Sequence, residues 1–392
     1  MFLNAQGDMK KFISDMYRTW KHEFGVVYAD LGVMIFFLFL PFAYPIVYSA
    51  IYNPELARDV PVVVVDDSRT GMSREYARHL DASQYVEVKG YASSMPEARR
   101  AMAEKECYAV VHFPEDFSRS VGRGETAVVE VFCDMSLLLR YKTVLKAVTS
   151  VAGEMGAKVQ AERIAELSGM PQQSAGMPIP YKLEPIGNVS QGLASAVLPG
   201  ILVLILQQSI ILAICFLGAS SRERVLRNGG KDPLLVDAGA LSSVIGRALC
   251  YFTIMIVPSI FVLHFVPIIF SFPMNGSVLD IAVFFVPFLL AVIFFGMTIQ
   301  AFVPDRESTF LVFVFTSIVF IFLSGVSWPR YAMSELWRLA GDCLPSTWGV
   351  TGYVGLNTAG ATLAQQSTPY IMLWIQSVVY LFLAFILNRK KM

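Results

Sequence analysis

The sequence predicts a polytopic α-helical membrane protein, six transmembrane helices with an α/β extracytoplasmic domain that carries a long helix. Two observations predict it. Residues 53–192 form one polar stretch of about 140 residues, the size of a domain, set between one hydrophobic span before it and five after it. Composition agrees, with 55% of residues apolar and 16% charged, against roughly 25% charged in soluble domains.

A hydrocarbon core of about 30 Å needs roughly 20 apolar residues of helix. Six segments qualify: Leu31–Tyr52, Leu193–Leu217, Val244–Phe270, Leu279–Val303, Thr309–Trp328 and Tyr370–Leu387. Pro41, Pro45, Pro258, Pro267 and Pro287 fall inside them and predict kinked helices, since neighbouring helices can satisfy the freed backbone groups. Orientation follows from Lys and Arg in the short flanks. One side holds Lys10, Lys11, Arg18, Lys21, Arg222, Arg224, Arg227, Lys231, Arg247, Arg306, Arg389, Lys390 and Lys391, and the other only Arg330 and Arg338. That asymmetry predicts cytoplasmic termini and an outer 53–192 domain, because long loops translocate regardless of charge.

The expected organisation is a cytoplasmic amphipathic interfacial helix over 1–29, a first span over 30–52, the outer domain over 53–192, and a block of five spans over 193–392. The first span lacks a tripartite signal layout and reads as a retained signal-anchor. Ahead of it, Met9, Phe12, Ile13, Met16, Trp20, Phe24 and Val27 fall at helical spacing, with Lys10, Lys11, Arg18 and Lys21 off that stripe. That pattern predicts a helix lying in the membrane interface.

The polar stretch alternates strands and helices. Strands are expected at Val60–Val65, Tyr85–Val88, Tyr108–Phe113 and Ala127–Phe132. Helices are expected from a Ser73 cap to Leu80, over Met95–Lys105 behind Ser94 and Pro96, and over Pro114–Val121. Leu138, Val144, Leu145, Val148, Val151 and Val159 then predict a helix from Leu137 to about Leu167, about 45 Å long and projecting above the bilayer. Residues 169–190, rich in Gly, Pro, Ser and Gln, read as an irregular return.

Chemistry-bearing patterns are few. Zero net charge leaves no nucleic-acid footprint. The five cysteines show no metal or redox spacing; Cys107 and Cys133 share the outer domain, as a disulfide or as two free thiols. Asp66-Asp67 ends a strand without a third ligand nearby and reads as a turn, and His79 and His112 read as satisfied surface residues. Polar residues inside spans are functional or packing groups. Gln207, Gln208 and Ser209 fall near the middle of span two, Thr316 and Ser317 in span five, and Gln376-Ser377 in span six; His264 sits in the outer half of span three. Gln207, Gln208, Thr316, Ser317 and Gln376 are the pore-lining candidates, with interhelical hydrogen bonding as their other reading. Asp280 lies at a span mouth, and Asp305-Arg306-Glu307 reads as a tight loop with local ion pairing.

Three segments carry a family resemblance. VPVVVVDDSRTGMSREYARHLDASQYVEV resembles a strand–Asp–Ser–helix–strand opening. EARRAMAEKECYAVVHFPEDFSRSVGRGETAVVEVFCDMS resembles a strand ending in a Pro–acidic–Asp–Phe turn before a Gly-rich hairpin. FLSGVSWPRYAMSELWRLAGDCLPSTWGVTGYVGL resembles the re-entrant helical hairpin after a fifth span, here spanning 329–369. With the span order, the chain resembles the ABC-2 type transporter permeases, in the subgroup with a large extracytoplasmic domain between the first two spans.

That resemblance implies a bacterial inner-membrane permease subunit exporting an amphiphilic substrate such as a lipid, drug or lipid-linked molecule. It implies a cytoplasmic ABC ATPase dimer as the engine, a second permease copy (identical or paralogous), and contact with membrane lipids. A periplasmic adaptor and an outer-membrane channel are further expected partners. No catalytic residue, metal site or cofactor is expected in the chain itself, ATP and Mg²⁺ belonging to the ATPase; no G-x-x-x-x-G-K-[ST] occurs, and Gly229-Gly230-Lys231 lacks the upstream glycine. The resemblance places ATPase coupling in loop 218–243, at Arg222, Glu223 and Arg224, while Asn228-Gly229-Gly230-Lys231-Asp232-Pro233 departs from the family's usual turn. The rival reading is a membrane-anchored receptor or scaffold whose outer domain binds a partner without transport.

Overall fold

The computed structural model describes residues 2–53, 57–168, 187–188, 192–230 and 232–389. The return expected over 169–190 lies outside the described residues except for Gly187 and Asn188, as do Lys231, Lys390 and Lys391. The chain forms two compact units, one from Met1–Glu55 with Pro185–Met392 and one from Leu56–Glu184.

The first unit opens with α1 (Phe2–Ala29) and the first apolar helix, α2 (Leu31–Tyr52). Along α1, Asp15, Thr19, Glu23 and Val27 form the buried line, one residue per four. Met9, Ile13, Tyr17 and Tyr28 remain exposed, while Trp20 and Phe24 pack on the core. The apolar stripe read from the sequence is thus split between protein and surroundings. Polar residues on the buried line are met there: the Tyr251 hydroxyl donates to Glu23 Oε1 at 2.5 Å, Thr19 Oγ1 donates to Asp15 O at 2.9 Å, and the Asp15 carboxylate lies 3.8 Å from Arg18 Nη2. In α2 the turn Ile35–Phe39 widens to a π-helix just before Pro41. A proline has no N–H to close the normal ladder, so the turn ahead of it loosens.

The second unit holds β1 (Val60–Asp66), α3 (Gly71–Asp81), β2 (Val86–Ala92), α4 (Met95–Ala103), β3 (Ala109–Phe113), α5 (Phe117–Arg123), β4 (Glu130–Cys133) and α6 (Leu138–Ser168). The sheet order is β2-β1-β3-β4, with β4 antiparallel and the rest parallel. β1 is covered on both faces: Val62 and Val64 join α3 and α6, while Val63 and Val65 join α4. That double burial is why β1 is an unbroken valine run and not an alternating strand. Val144, Ala147, Val148 and Val151 place one stripe of α6 on this core, and Tyr76 Oη donates to Val148 O at 2.7 Å.

Several expected details shift. The cap of α3 is Thr70, not Ser73; Ser73 is its third residue and closes a reciprocal capping box with Thr70. β2 runs on to Ala92, because Gly90, Tyr91 and Ala92 continue the pairing with β1. The helix after β3 begins at Phe117, whose N–H reaches Pro114 O across a turn. Cys107 is buried and Cys133 half-buried, and both are free thiols; burial pushes each thiol pKa up.

The remaining helices return to the first unit: α7 (Leu193–Arg227), α8 (Ala240–Ile269), α9 (Val278–Ile299), α10 (Arg306–Leu323), α11 (Glu335–Asp342), α12 (Pro345–Tyr353) and α13 (Ser367–Arg389). Six described helices are long and apolar enough to cross a membrane: α2, α7, α8, α9, α10 and α13. They define a polytopic helical membrane protein. α7 is its central post, with 94% of its most apolar stretch buried against 11% for α10. A helix apolar all round and buried all round is an interior helix, whereas α10 presents its apolar surface outward, as a lipid-facing span does.

Candidate functional site

The charged ends of the spans concentrate the chemistry. α7 does not stop at Leu217 but continues to Arg227, since no breaker occurs before Asn228-Gly229-Gly230. Gly229 and Gly230 take positive φ (+70° and +119°) and turn the chain away. The first ten residues of the expected loop 218–243 are therefore helix. Arg222, Glu223 and Arg224, successive on that helix and about 100° apart, take three directions.

Arg222 turns to the C-terminus of α9. Its Nη2 donates to Gln300 O at 2.6 Å and Ala301 O at 2.7 Å, and its Nη1 donates to Val303 O. These carbonyls lie at and beyond the end of a helix, where partners are missing and a cation is favoured. Glu223 Oε2 lies 3.5 Å from Arg306 Nε, and Arg306 Nη2 is 3.0 Å from Asp30 Oδ2. Asp30 in turn caps α2 by accepting from Gly32 N at 3.0 Å. Arg306 therefore pairs with distant helices and not within its own loop, as expected from Asp305-Arg306-Glu307; Asp305 instead caps α10 through Ser308 N. Arg224 clasps Asp232 with two bonds of 2.9 and 3.0 Å, while Ser221 Oγ and Leu234 N complete the carboxylate. Burial alone would raise the Asp232 carboxyl, but Arg224, Ser221 and the Leu234 N–H outweigh it and hold it below the usual range.

All three charges thus bind inward, and beside the exposed Arg227 the tip presents apolar groups: Leu226 is 82% exposed, Leu234 and Leu235 about two-fifths. The sequence singled out the charges; the leucines carried no periodic signal.

In mid-span, three of the selected residues meet. Gln208 Nε2 donates to Ser317 Oγ at 2.9 Å and lies 3.4 Å from Thr316 Oγ1, joining α7 to α10. Gln207 is fully buried and its amide has no partner among the described residues. Gln376 is not with them. Its Nε2 donates to Asp342 O at 2.8 Å, where Trp348 Nε1 also donates at 2.9 Å, and the Tyr380 hydroxyl donates to Cys343 O. α13 thereby grips the turn of the α11–α12 hairpin at its tenth residue, about 14 Å into the helix at 1.5 Å per residue. Gln376 reads as a hairpin clamp. Asp280 accepts from Leu363 N at the mouth of α9.

In the second unit, Asp66 accepts from Arg69 N and Ser73 Oγ, both at 2.9 Å, and closes the turn after β1. His112, expected as a surface or satisfied residue, is satisfied: its ring bridges Asp67 (2.9 Å) and Glu130 (3.0 Å). The signal was positional: Glu130 lies directly across the β3–β4 pair from His112. No group of three His, Cys, Asp or Glu side chains among the described residues is placed to hold a metal. Burial lowers the imidazole pKa, but the bonds to Glu130 and Asp67 outweigh it and leave it raised. A raised folded value means the stabilisation is full below the unfolded value near 6.5 and is lost as pH rises through the folded one. Hydrogen-exchange protection of β3 and β4, corrected for intrinsic rates, should therefore be higher at pH 5.5 than at pH 8. His112→Gln should remove that difference; a difference that persists assigns it to other groups.

The sequence profile of the ABC-2 family transporter proteins matches residues 32–386. The class defined by six apolar helices is thus a multi-pass membrane protein, and the chain belongs to the ABC-2 transporter family. It is a transmembrane permease subunit of an ABC transporter, a family whose members generally lack an ATPase site and associate with an ABC ATPase. No curated protein matches the chain.

Proposed function

We propose that this permease exports an amphiphilic substrate, a lipid, drug or lipid-linked molecule, from the bacterial inner membrane. Two copies, or one copy and a paralogue, form the path, both termini are cytoplasmic, and residues 53–192 lie outside. The outer unit meets a periplasmic adaptor or an outer-membrane channel, or gates the exit. A cytoplasmic ABC ATPase dimer binds ATP and Mg²⁺ and engages the α7 tip, where Leu226, Leu234 and Leu235 are exposed beside α1. Gln207, Gln208, Thr316 and Ser317 supply polar groups where the path crosses the midplane.

One observation supports this reading above the others. The tip of α7 is tied by Arg222 to the end of α9, and by Glu223 through Arg306 to the starts of α10 and α2. Force applied at the tip therefore passes from α7 to three further spans through charge-assisted contacts, the stronger class of polar interaction. The test is Glu223→Arg combined with Arg224→Glu, which breaks the Arg306 and Asp232 pairs while preserving net charge. Membrane insertion and dimerisation should survive, and stimulation of the partner ATPase should fall at least tenfold. Stimulation at the wild-type level would make this segment a topological spacer.

A further inference from the structure

Arg247 lies on the second turn of α8, at the same charged end as Arg222 and Arg306. A guanidinium has five N–H donors. Among the described residues Arg247 uses them only within its own helix, through Nε to Ser243 O at 3.5 Å and Nη2 to Ser243 Oγ at 3.3 Å. No carboxylate of a described residue lies within ion-pair distance of it. Yet Arg247 is half-buried, and a cation partly withdrawn from water without a counter-charge is unfavourable. Arg222, Arg224 and Arg306 on the same end each reach a carboxylate or backbone carbonyl of another segment.

Arg247 lines a cavity of about 440 Å³ together with Arg222, Arg224, Glu23, Asp232 and Tyr251. Asp232 is taken by Arg224, and Glu23 accepts from the Tyr251 hydroxyl. Three guanidiniums against two carboxylates leave one positive charge over. The rest of the wall is apolar, with Val26, Leu226, Leu234 and Leu235. Val26 and Leu234 also line a groove of about 600 Å³ along α1, so the two spaces share a wall. That groove is lined along α1 by Tyr17, Arg18, Lys21 and His22 and by the small residues Gly25 and Ala29. Lys21 makes no ion pair among the described residues. Around it, Met9, Ile13 and Tyr17 stay exposed on α1, as on a helix in the headgroup layer of a bilayer.

We propose that this cavity and groove bind an anionic phospholipid of the adjoining leaflet. Its phosphate bonds to Arg247, Lys21 meets the headgroup from the groove, and an acyl chain lies along Val26, Leu234, Gly25 and Ala29. An anion completes the donors that Arg247 leaves unused, and a basic pocket at the membrane surface is the setting in which anionic headgroups are recognised. Inorganic phosphate shares the charge but not the chain, and cannot use the apolar groove. The site shares Leu226, Leu234 and Leu235 with the surface proposed to meet the ATPase, but lipid retention by the purified chain requires neither nucleotide nor substrate, so the two readings fail separately.

The test uses the full chain purified in a neutral detergent, with retained lipid counted by native mass spectrometry and thermal melting followed in parallel. Phosphatidylglycerol should be retained and raise the melting temperature; phosphatidylcholine of the same chains and inorganic phosphate should do neither. Arg247→Gln should weaken phosphatidylglycerol retention about tenfold, the scale of one charge-assisted contact, and Arg247→Lys should restore part of it. Arg227→Gln, at the exposed end of α7, should change nothing. Equal retention of the two lipids, or wild-type retention by Arg247→Gln, overturns the proposal. Stabilisation by phosphate alone equal to that by phosphatidylglycerol also overturns it, since the occupant is then a free anion. If Arg247→Gln does not fold, Lys21→Gln decides: a fall of about threefold supports the lipid, and unchanged retention rejects it.

Discussion

Gly352→Val is expected to unseat the α11–α12 hairpin and to lower the stability of the membrane unit by about 3 kcal/mol, the upper range for forcing bulk into a packed core. A Cβ at position 352 would fall well inside van der Waals contact of the Phe284 ring on α9, and one at Gly349 would meet Phe288 in the same way. Both rings are fully buried. Neither can swing aside: Phe284 packs edge-on against Phe285, which packs edge-on against Phe288 and Tyr353. Small residues allow this backbone-to-ring approach between helices, as they do generally in membrane bundles. Melting of the purified chain should show the loss, and Gly352→Val with Phe284→Leu should recover part of it by opening room. If Gly352→Val melts like the wild type, α12 does not depend on this contact. If the double variant is no better than the single one, the cost lies in the helix backbone and not in the ring.

The hydrophobic spans were legible because twenty apolar residues leave few alternatives in lipid, and all six helices appear within a few residues of their expected ends, apart from α7. What hydropathy does not encode is which polar residue meets which. Arg306 finds Asp30 and Glu223, partners distant in sequence, so its short acidic neighbours Asp305 and Glu307 suggested the wrong pairing. Asp15, Thr19 and Glu23 were hidden for the same reason. A periodicity argument assigns the buried line of a helix to apolar residues, yet here α1 crosses α8 closely at Gly246, where a Cβ would lie 2.7 Å from Met16 O. So tight a crossing sets Thr19 against Gly246 and brings Glu23 to the Tyr251 hydroxyl of α8. In the second unit, strand register was the missing information. Without it His112 was an isolated histidine; with β3 beside β1 and β4 it acquires two carboxylates. The selected amides divided likewise, Gln208 joining Thr316 and Ser317 while Gln376 went to the hairpin, a choice set by helix rotation and not by depth.

Asp232→Asn is the second large effect expected, and it reports on the turn that follows α7. The Asp232 side chain is 2% exposed and collects Arg224, Ser221 and the Leu234 N–H on its two oxygens. Asparagine keeps the size but removes the charge and turns one acceptor into a donor, which in either orientation faces the Arg224 guanidinium, together with the Leu234 N–H or the Ser221 hydroxyl. Breaking one member of a buried ion pair costs about 3 kcal/mol, because the partner charge is stranded. The expected result is local release of residues 232–235, seen as lost amide protection at Leu234 and faster proteolysis after Arg227, while the spans stay folded. The sign with pH is fixed by the lowered carboxyl. The stabilisation is fully present above the ordinary carboxylate value and is lost as pH falls through the depressed one, so the wild-type turn should hold throughout neutral pH and loosen only in strong acid. A double-mutant cycle separates the pair from the turn itself. Arg224→Gln with Asp232→Asn should lose markedly less than the sum of the single changes; strict additivity would mean that Arg224 and Asp232 act independently, and that the turn is held by Ser221 and the backbone alone.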